Sequence, residues 1–350
     1  MHARFVESVN GLRMHVLEAG TPGAPCVLLL HGFPELSYSW RKVIPALAAA
    51  GFHVLAPDQR GYGRTTGWDG RYDGDLASFR LLNLVEDAAA LLSRLGIGQA
   101  HVVGHDFGSP VAAYAALTRP ETFRSVVLMS APFGGPPSSL SSPDIHRQLA
   151  ALGRKHYQWY YSTRKADADM RDSRQGMHAF LRAYYHYKSA GWKGNRPYPL
   201  KSWSAAELAK LPTYYVMELD KDMAETVASA MPQRAAEWLT DEELDVYADT
   251  FKSTGFQGGL QWYRCGTGPE FIAQLIKLAG RTIDVPSMFI AGAADWGIYQ
   301  KPGEFERMQS QACTDMRGCH LVEGAGHWVQ QEQAERTSAL LIDFLRMGYG

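Results

Sequence analysis

Gly104-His105-Asp106-Phe107-Gly108 follows a short apolar run and has the spacing of the Gly-x-Ser-x-Gly elbow, with aspartate in the middle position. A serine there attacks carbonyl carbon. An aspartate displaces a leaving group from saturated carbon and becomes an ester itself. The helix expected after the motif points its amino-terminal dipole at Asp106 and favours the carboxylate. Such an ester needs a base to activate water. His327 suits the task, because imidazole titrates near neutrality and the Gly324-Ala325-Gly326-His327-Trp328 loop follows the last strand-like run. Asp295 follows the run Met288 to Gly292 and can orient that histidine and stabilise its protonated form. Asp284 competes for this role, but it precedes the run, away from the carboxyl edge where catalytic groups gather. His31-Gly32-Phe33-Pro34 follows the first parallel run, and the amides of Phe33 and Phe107 are candidate donors to an oxyanion. Phe33-Pro34 is a candidate cis bond. His31, His101, His105 and His320 are expected to pack or hydrogen-bond near the core. His105 and Pro34 are also counted, with Trp159, as pocket candidates.

These residues need elements to hold them. Asn10-Gly11 between residues 4–9 and 12–17 predicts a hairpin. Apolar runs then alternate with helical patterns: Cys26 to Leu30 before a helix near 39–50, and His53 to Ala56 before one near 76–95. His101 to Val103 leads to a helix from about Ser109, and Ser125 to Met129 follows. Met288 to Ile290, Leu321-Val322 and a helix near 331–347 resume the rhythm. Short unbroken apolar strands alternating with helices imply a mostly parallel sheet covered on both faces. The stretch 133–269 interrupts it, opening with a Gly/Pro/Ser-rich linker from Phe133 to Pro143 and turning helical and aromatic. It reads as a helical lid inserted between core segments 1–132 and 270–350.

The 350 residues are 46% hydrophobic and 20% charged, which suits a globular chain with a sizeable core. A net charge of −1 offers nothing to attract nucleic acid or an anionic membrane. No apolar run approaches a spanning length, and Met1 to Gly20 lacks a signal pattern, so a cytoplasmic location is expected. Cys26, Cys265, Cys313 and Cys319 are scattered, as reduced thiols would be. No His-Glu-x-x-His or Cys-x-x-Cys occurs, so no metal is expected, and displacement by aspartate followed by attack of water needs no cofactor.

Taken together, His31 to Glu35, Gly104 to Gly108 and Gly326-His327-Trp328 resemble the epoxide hydrolases of the α/β-hydrolase fold, over nearly the whole chain. Two lid segments sharpen the resemblance. His156-Tyr157-Gln158-Trp159-Tyr160 and Gly255 to Arg264 are similar to that family's two lid-tyrosine motifs. The resemblance implies that Tyr157 and Tyr263 grip an epoxide oxygen. A phenol, with a pKa near 10, stays protonated at neutral pH yet can donate to an alkoxide. The implied partners are an apolar epoxide and water, with a homodimer left open. The aromatic lid (Trp159, Tyr160, Tyr161, Trp192, Trp203) fits aryl or long-chain epoxides. Phe107 departs from the family, since many relatives carry tryptophan there. The amide is unaffected, but the wall loses an indole N–H. That loss disfavours a haloalkane dehalogenase, the nearest rival, which needs N–H donors for a departing halide. A non-catalytic ligand receptor on the same fold is the rival of another class. It has no need of a nucleophile, base, acid and two phenols together.

Overall fold

The computed structural model describes residues 1–140 and 144–347. Eight strands form one sheet: β1 (His2–Val9), β2 (Leu12–Ala19), β3 (Cys26–Leu30), β4 (His53–Pro57), β5 (Ala100–His105), β6 (Phe123–Met129), β9 (Ser287–Gly292) and β10 (Met316–Val322). Their order is β1-β2-β4-β3-β5-β6-β9-β10. The first two form the expected hairpin, with Asn10 at φ 46° and Gly11 at φ 83° in its turn. β2 pairs antiparallel with β4, and all later pairings are parallel.

Alternation along each strand divides the core in two. Leu28, Val102, Val126 and Phe289 face one side, with α2 (Leu81–Arg94) and α3 (Gly108–Thr118) packed on them. Val27, Val103, Val127 and Ile290 face the other, under α1 (Ile44–Ala49) and α15 (Ala334–Met347). Every residue of β3, β4, β5 and β9 is buried, as strands covered on both faces must be.

Three helices differ from their expected extents. The one near 39–50 divides into a 3₁₀ turn, Ser37–Trp40, and α1, whose start carries Pro45. Proline lacks the N–H that a helix interior needs, so it fits only in a first turn. The one near 76–95 breaks at Arg80, which is extended at φ −60° and ψ 145°. The closing helix divides at Gln333 into α14 (Val329–Glu332) and α15.

Between β6 and β9 the described residues add no strand to the large sheet. It forms α4 (Asp144–Ala151), α5 (Tyr157–Tyr161), α6 (Ala166–Arg171), α7 (Met177–Lys188), α8 (Ala205–Leu208), α9 (Met223–Ala228), α10 (Asp241–Thr254), α11 (Gln257–Thr267) and α12 (Pro269–Ile276). Within it β7 (Arg154–His156) and β8 (Val216–Glu218) make a separate antiparallel pair. The described part of the expected linker, Phe133 to Leu140, has neither helix nor strand, and its last residues, 141–143, lie outside the described residues. A short α13 (Glu304–Arg307) precedes β10.

Polar contacts tie this helical segment to the sheet domain. The Trp262 indole donates to the Arg60 carbonyl at 2.9 Å, and the Tyr185 hydroxyl to the Pro34 carbonyl at 2.6 Å. The Trp328 indole donates to the Tyr185 carbonyl at 2.8 Å, and the His327 amide to the Lys188 carbonyl at 2.9 Å. Arg41 donates to Glu243 at 2.9 Å. The four cysteines are free thiols. Among the described residues no helix is long and apolar enough to cross a membrane.

Candidate active site

Asp106 stands between the end of β5 and the start of α3, at φ 52°. Few residues other than glycine adopt that region, and a sharp strand-to-helix turn enforces it here. The turn is too tight for side chains on either flank. A Cβ on Gly104 would meet the Gly108 carbonyl oxygen at 2.0 Å, and one on Gly108 would meet the Leu30 oxygen at 2.3 Å. The Asp106 carboxylate accepts the Phe33 amide at 2.9 Å on Oδ1 and faces His327 Nε2 at 3.0 Å from Oδ2. His327 Nδ1 lies 3.1 and 3.2 Å from the two Asp295 oxygens, one of which also accepts the Gly297 amide at 2.7 Å. Asp295 follows β9 and His327 follows β10, so the three side chains meet at the carboxyl edge of the sheet. Asp284, the competitor, is exposed and bonded to Thr282 and Thr314.

Charge governs these three groups. Burial would raise the Asp106 pKa, but the hydrogen bond and charge of His327, then Lys188 and His105, outweigh it and hold the carboxyl well below its usual range. Asp295 is likewise lowered, against burial, by the charge and hydrogen bond of His327. For His327, burial and the Lys188 ammonium oppose the charged form, yet Asp295 and the bonds to both carboxylates leave its pKa raised.

A cavity of about 350 Å³ opens on Asp106, lined by Phe107, Tyr157, Trp159, Trp203 and Tyr263 among others. Tyr157 opens α5 and Tyr263 lies in α11, with ring centroids 5.9 Å apart. They are 5% and 4% exposed, so both rings are buried in the cavity wall. Burial and the Asp106 charge push both phenols well above their usual range. Gln158 donates to the Tyr157 oxygen at 3.2 Å, and the Tyr157 hydroxyl donates to Gln300 at 3.3 Å. The Tyr263 hydroxyl has no hydrogen-bond partner among the described residues. Phe107 packs edge-on against Tyr263 at 5.2 Å.

Two pocket expectations need correction. His105 is fully buried behind the site, with Nδ1 bonded to Glu35 at 2.6 Å and Nε2 to the His327 carbonyl at 2.7 Å. Pro34, joined to Phe33 by a cis bond, is buried under Tyr185 and away from the cavity. His105 is drawn inward by its bonds to Glu35 and the His327 carbonyl, and Pro34 is covered by the Tyr185 hydroxyl on its carbonyl.

Sequence reasoning missed several supports. Gln158 and Gln300 hold Tyr157; the first stood inside the quoted tyrosine motif, whereas the second had no local signal. Glu332 accepts the amides of Gly326 at 3.0 Å, Trp328 at 3.1 Å and Ala190 at 2.8 Å, gripping both sides of His327. Glu332→Ala is expected to lower turnover about tenfold or more by loosening that loop, since small misplacements of a catalytic group cost up to ~10²-fold. Steady-state kinetics on the variant, with Glu332→Gln restoring most of the rate, would check it.

The profile of a family described as the alpha/beta hydrolase fold matches residues 25–334. The chain is 36% identical to epoxide hydrolase A of Mycobacterium tuberculosis over 346 residues, covering 98% of this chain and 96% of the relative. The chain belongs to the epoxide hydrolases of the alpha/beta hydrolase fold. An epoxide hydrolase of Caballeronia sordidicola is 30% identical across 97% of this chain and 92% of its own length. Among solved structures, epoxide hydrolase A from Mycobacterium thermoresistibile superposes with a TM-score of 0.80 at 35% identity, covering 99% of this chain and 98% of that one. An epoxide hydrolase from an endophytic Streptomyces gives a TM-score of 0.81 at 31% identity, covering 99% and 95%. Likeness to these epoxide hydrolases therefore extends over the helical segment as well as the sheet.

Proposed function

We propose that this protein hydrolyses an apolar epoxide to a vicinal diol through a covalent ester on Asp106. One observation carries the reading: two buried phenols, Tyr157 and Tyr263, share a mostly apolar cavity with an aspartate whose carboxylate faces His327 at 3.0 Å. Residues 133–269 act as the cap over the core segments 1–132 and 270–350. The hydroxyls of Tyr157 and Tyr263 bind the oxirane oxygen, and an Asp106 oxygen attacks a ring carbon from the opposite side. The ring C–O bond breaks, and the released oxygen takes a proton from one phenol. The developing alkoxide is stabilised where charge appears, in a site that excludes water. The His327 proton then restores the phenol, leaving a neutral imidazole.

His327, oriented by Asp295, next removes a proton from water, whose oxygen attacks the ester carbon of Asp106. The Phe33 amide, already 2.9 Å from Asp106 Oδ1, and the Phe107 amide hold the tetrahedral oxyanion. Collapse breaks the bond between the ester carbon and the substrate oxygen, which takes the proton from His327, and the carboxylic acid left on Asp106 passes its own proton to the neutral imidazole. The diol leaves, Asp106 is again a carboxylate, and His327 is again protonated. No cofactor enters these steps.

A mass-spectrometric trap tests the reading. His327→Gln keeps a hydrogen-bonding side chain but no base, so the ester should form and persist. Incubation with styrene oxide is expected to add the mass of the intact epoxide to the peptide containing Asp106. An adduct from a bromoalkane alone, or one on another residue, would sink the proposal.

A further inference from the structure

Lys188 ends α7 and is only 3% exposed. Its ammonium sits in a cage of four rings, 5.0 Å from the Tyr215 centroid, 5.4 Å from Trp328, 5.5 Å from Tyr184 and 5.9 Å from Tyr214. Ring faces attract a cation and more strongly so when water is excluded. Among the described residues it makes no ion pair with a carboxylate, so no single neighbour neutralises it. Burial lowers its pKa, while Asp106, Asp295 and Glu35 favour the charged form. Its own carbonyl accepts the His327 amide at 2.9 Å, which fixes the lysine beside the histidine.

We propose that Lys188 is a positioning residue whose caged charge makes His327 surrender its proton once Asp106 has become an ester. The inference rests on the ester reading above. The groups that face His327 are Asp106 from the elbow, Asp295 from the loop after β9, Lys188 from α7, and His105 from β5, whose ring lies 5.1 Å away and is bonded to Glu35. Before attack two carboxylates hold the imidazolium against one ammonium. Esterification removes the Asp106 charge. Asp295 and Lys188 then nearly cancel, and burial favours the neutral ring. The base therefore becomes available when the ester needs water, and not while Asp106 must stay an ionised nucleophile.

The test is the pH dependence of ester hydrolysis, followed by stopped-flow single turnovers with styrene oxide. Hydrolysis requires neutral His327, so its rate falls as pH drops through the histidine pKa. Removing a nearby positive charge raises that pKa. In Lys188→Met the acid limb is expected to move to higher pH by about one unit, roughly the worth of one neighbouring buried charge. Ester formation should change far less, and Lys188→Arg should keep the native limb. An unmoved limb in a folded Lys188→Met protein would overturn the proposal, as would an equal movement in Lys188→Arg. If the methionine variant does not fold, an NMR titration of His327 in Asp106→Asn, with Lys188 in place, decides it. A midpoint that rises by about one unit when Lys188→Gln is added to that variant supports the proposal, and one that stays put overturns it. If the native protein forms no ester at all, the underlying reading has failed; if it forms one and the limb stays put, only the role of Lys188 has.

Discussion

Asp106→Ala is expected to reduce diol formation by at least ~10⁴-fold, on the order of 5.5 kcal/mol in the barrier. The alanine keeps the Phe33 and Phe107 amides, His327 and both phenols in place. It removes the carboxylate that would attack carbon, together with its bonds to the Phe33 amide and His327. The substitution also leaves His327 with one carboxylate where it had two, so the fold need not suffer. The measurement is product formation by chromatography, with circular dichroism to show that the variant is folded. Turnover within a factor of ten of the native protein would exclude a covalent route through this residue.

The second large effect concerns the two tyrosines. A single donor to a developing oxyanion is worth about 10²–10³ in rate, so Tyr157→Phe or Tyr263→Phe should each leave measurable activity. The pair should fall by ~10⁴-fold or more, with departures from additivity because both phenols serve one oxygen. Tyr157→Phe is expected to cost the more. Gln158 donates to the Tyr157 oxygen at 3.2 Å, and that bond favours the phenolate left behind when the proton moves. Tyr263 has no such support among the described residues, so in the proposed mechanism it would serve as a hydrogen-bond donor alone. Single-turnover kinetics should locate the loss in ester formation, with ester hydrolysis unchanged. Native ring opening by the double variant would remove the basis for reading this site as one built for epoxides.

Local sequence carried much of this. Asn10-Gly11 specified the hairpin, and the unbroken apolar runs specified strands buried on both faces, because each signal acts over a few residues. Gly104 and Gly108 announced a turn with no room for side chains, and the loops after two later strands held Asp295 and His327. The breaks at Arg80 and Gln333 were not legible. No proline or glycine marks them. Nor was the environment of Lys188, whose cage combines α7, the segment before β8 and the loop after β10. Contacts among distant segments leave no spacing to read. His105 packs and hydrogen-bonds near the core as expected, but its place in the pocket failed for a related reason: the buried Glu35 that turns it inward was known only as a letter in a motif.

The seam between the helical segment and the sheet also bears on how such a chain tolerates drift. Four of its bonds end on backbone oxygens, those of Pro34, Arg60, Tyr185 and Lys188. A backbone acceptor survives any exchange of the side chain attached to it. Half of each joint is therefore insulated from mutation. The segment bearing the two tyrosines can diversify as a cassette, while the sheet bearing the aspartate and histidine continues to receive it in the same orientation.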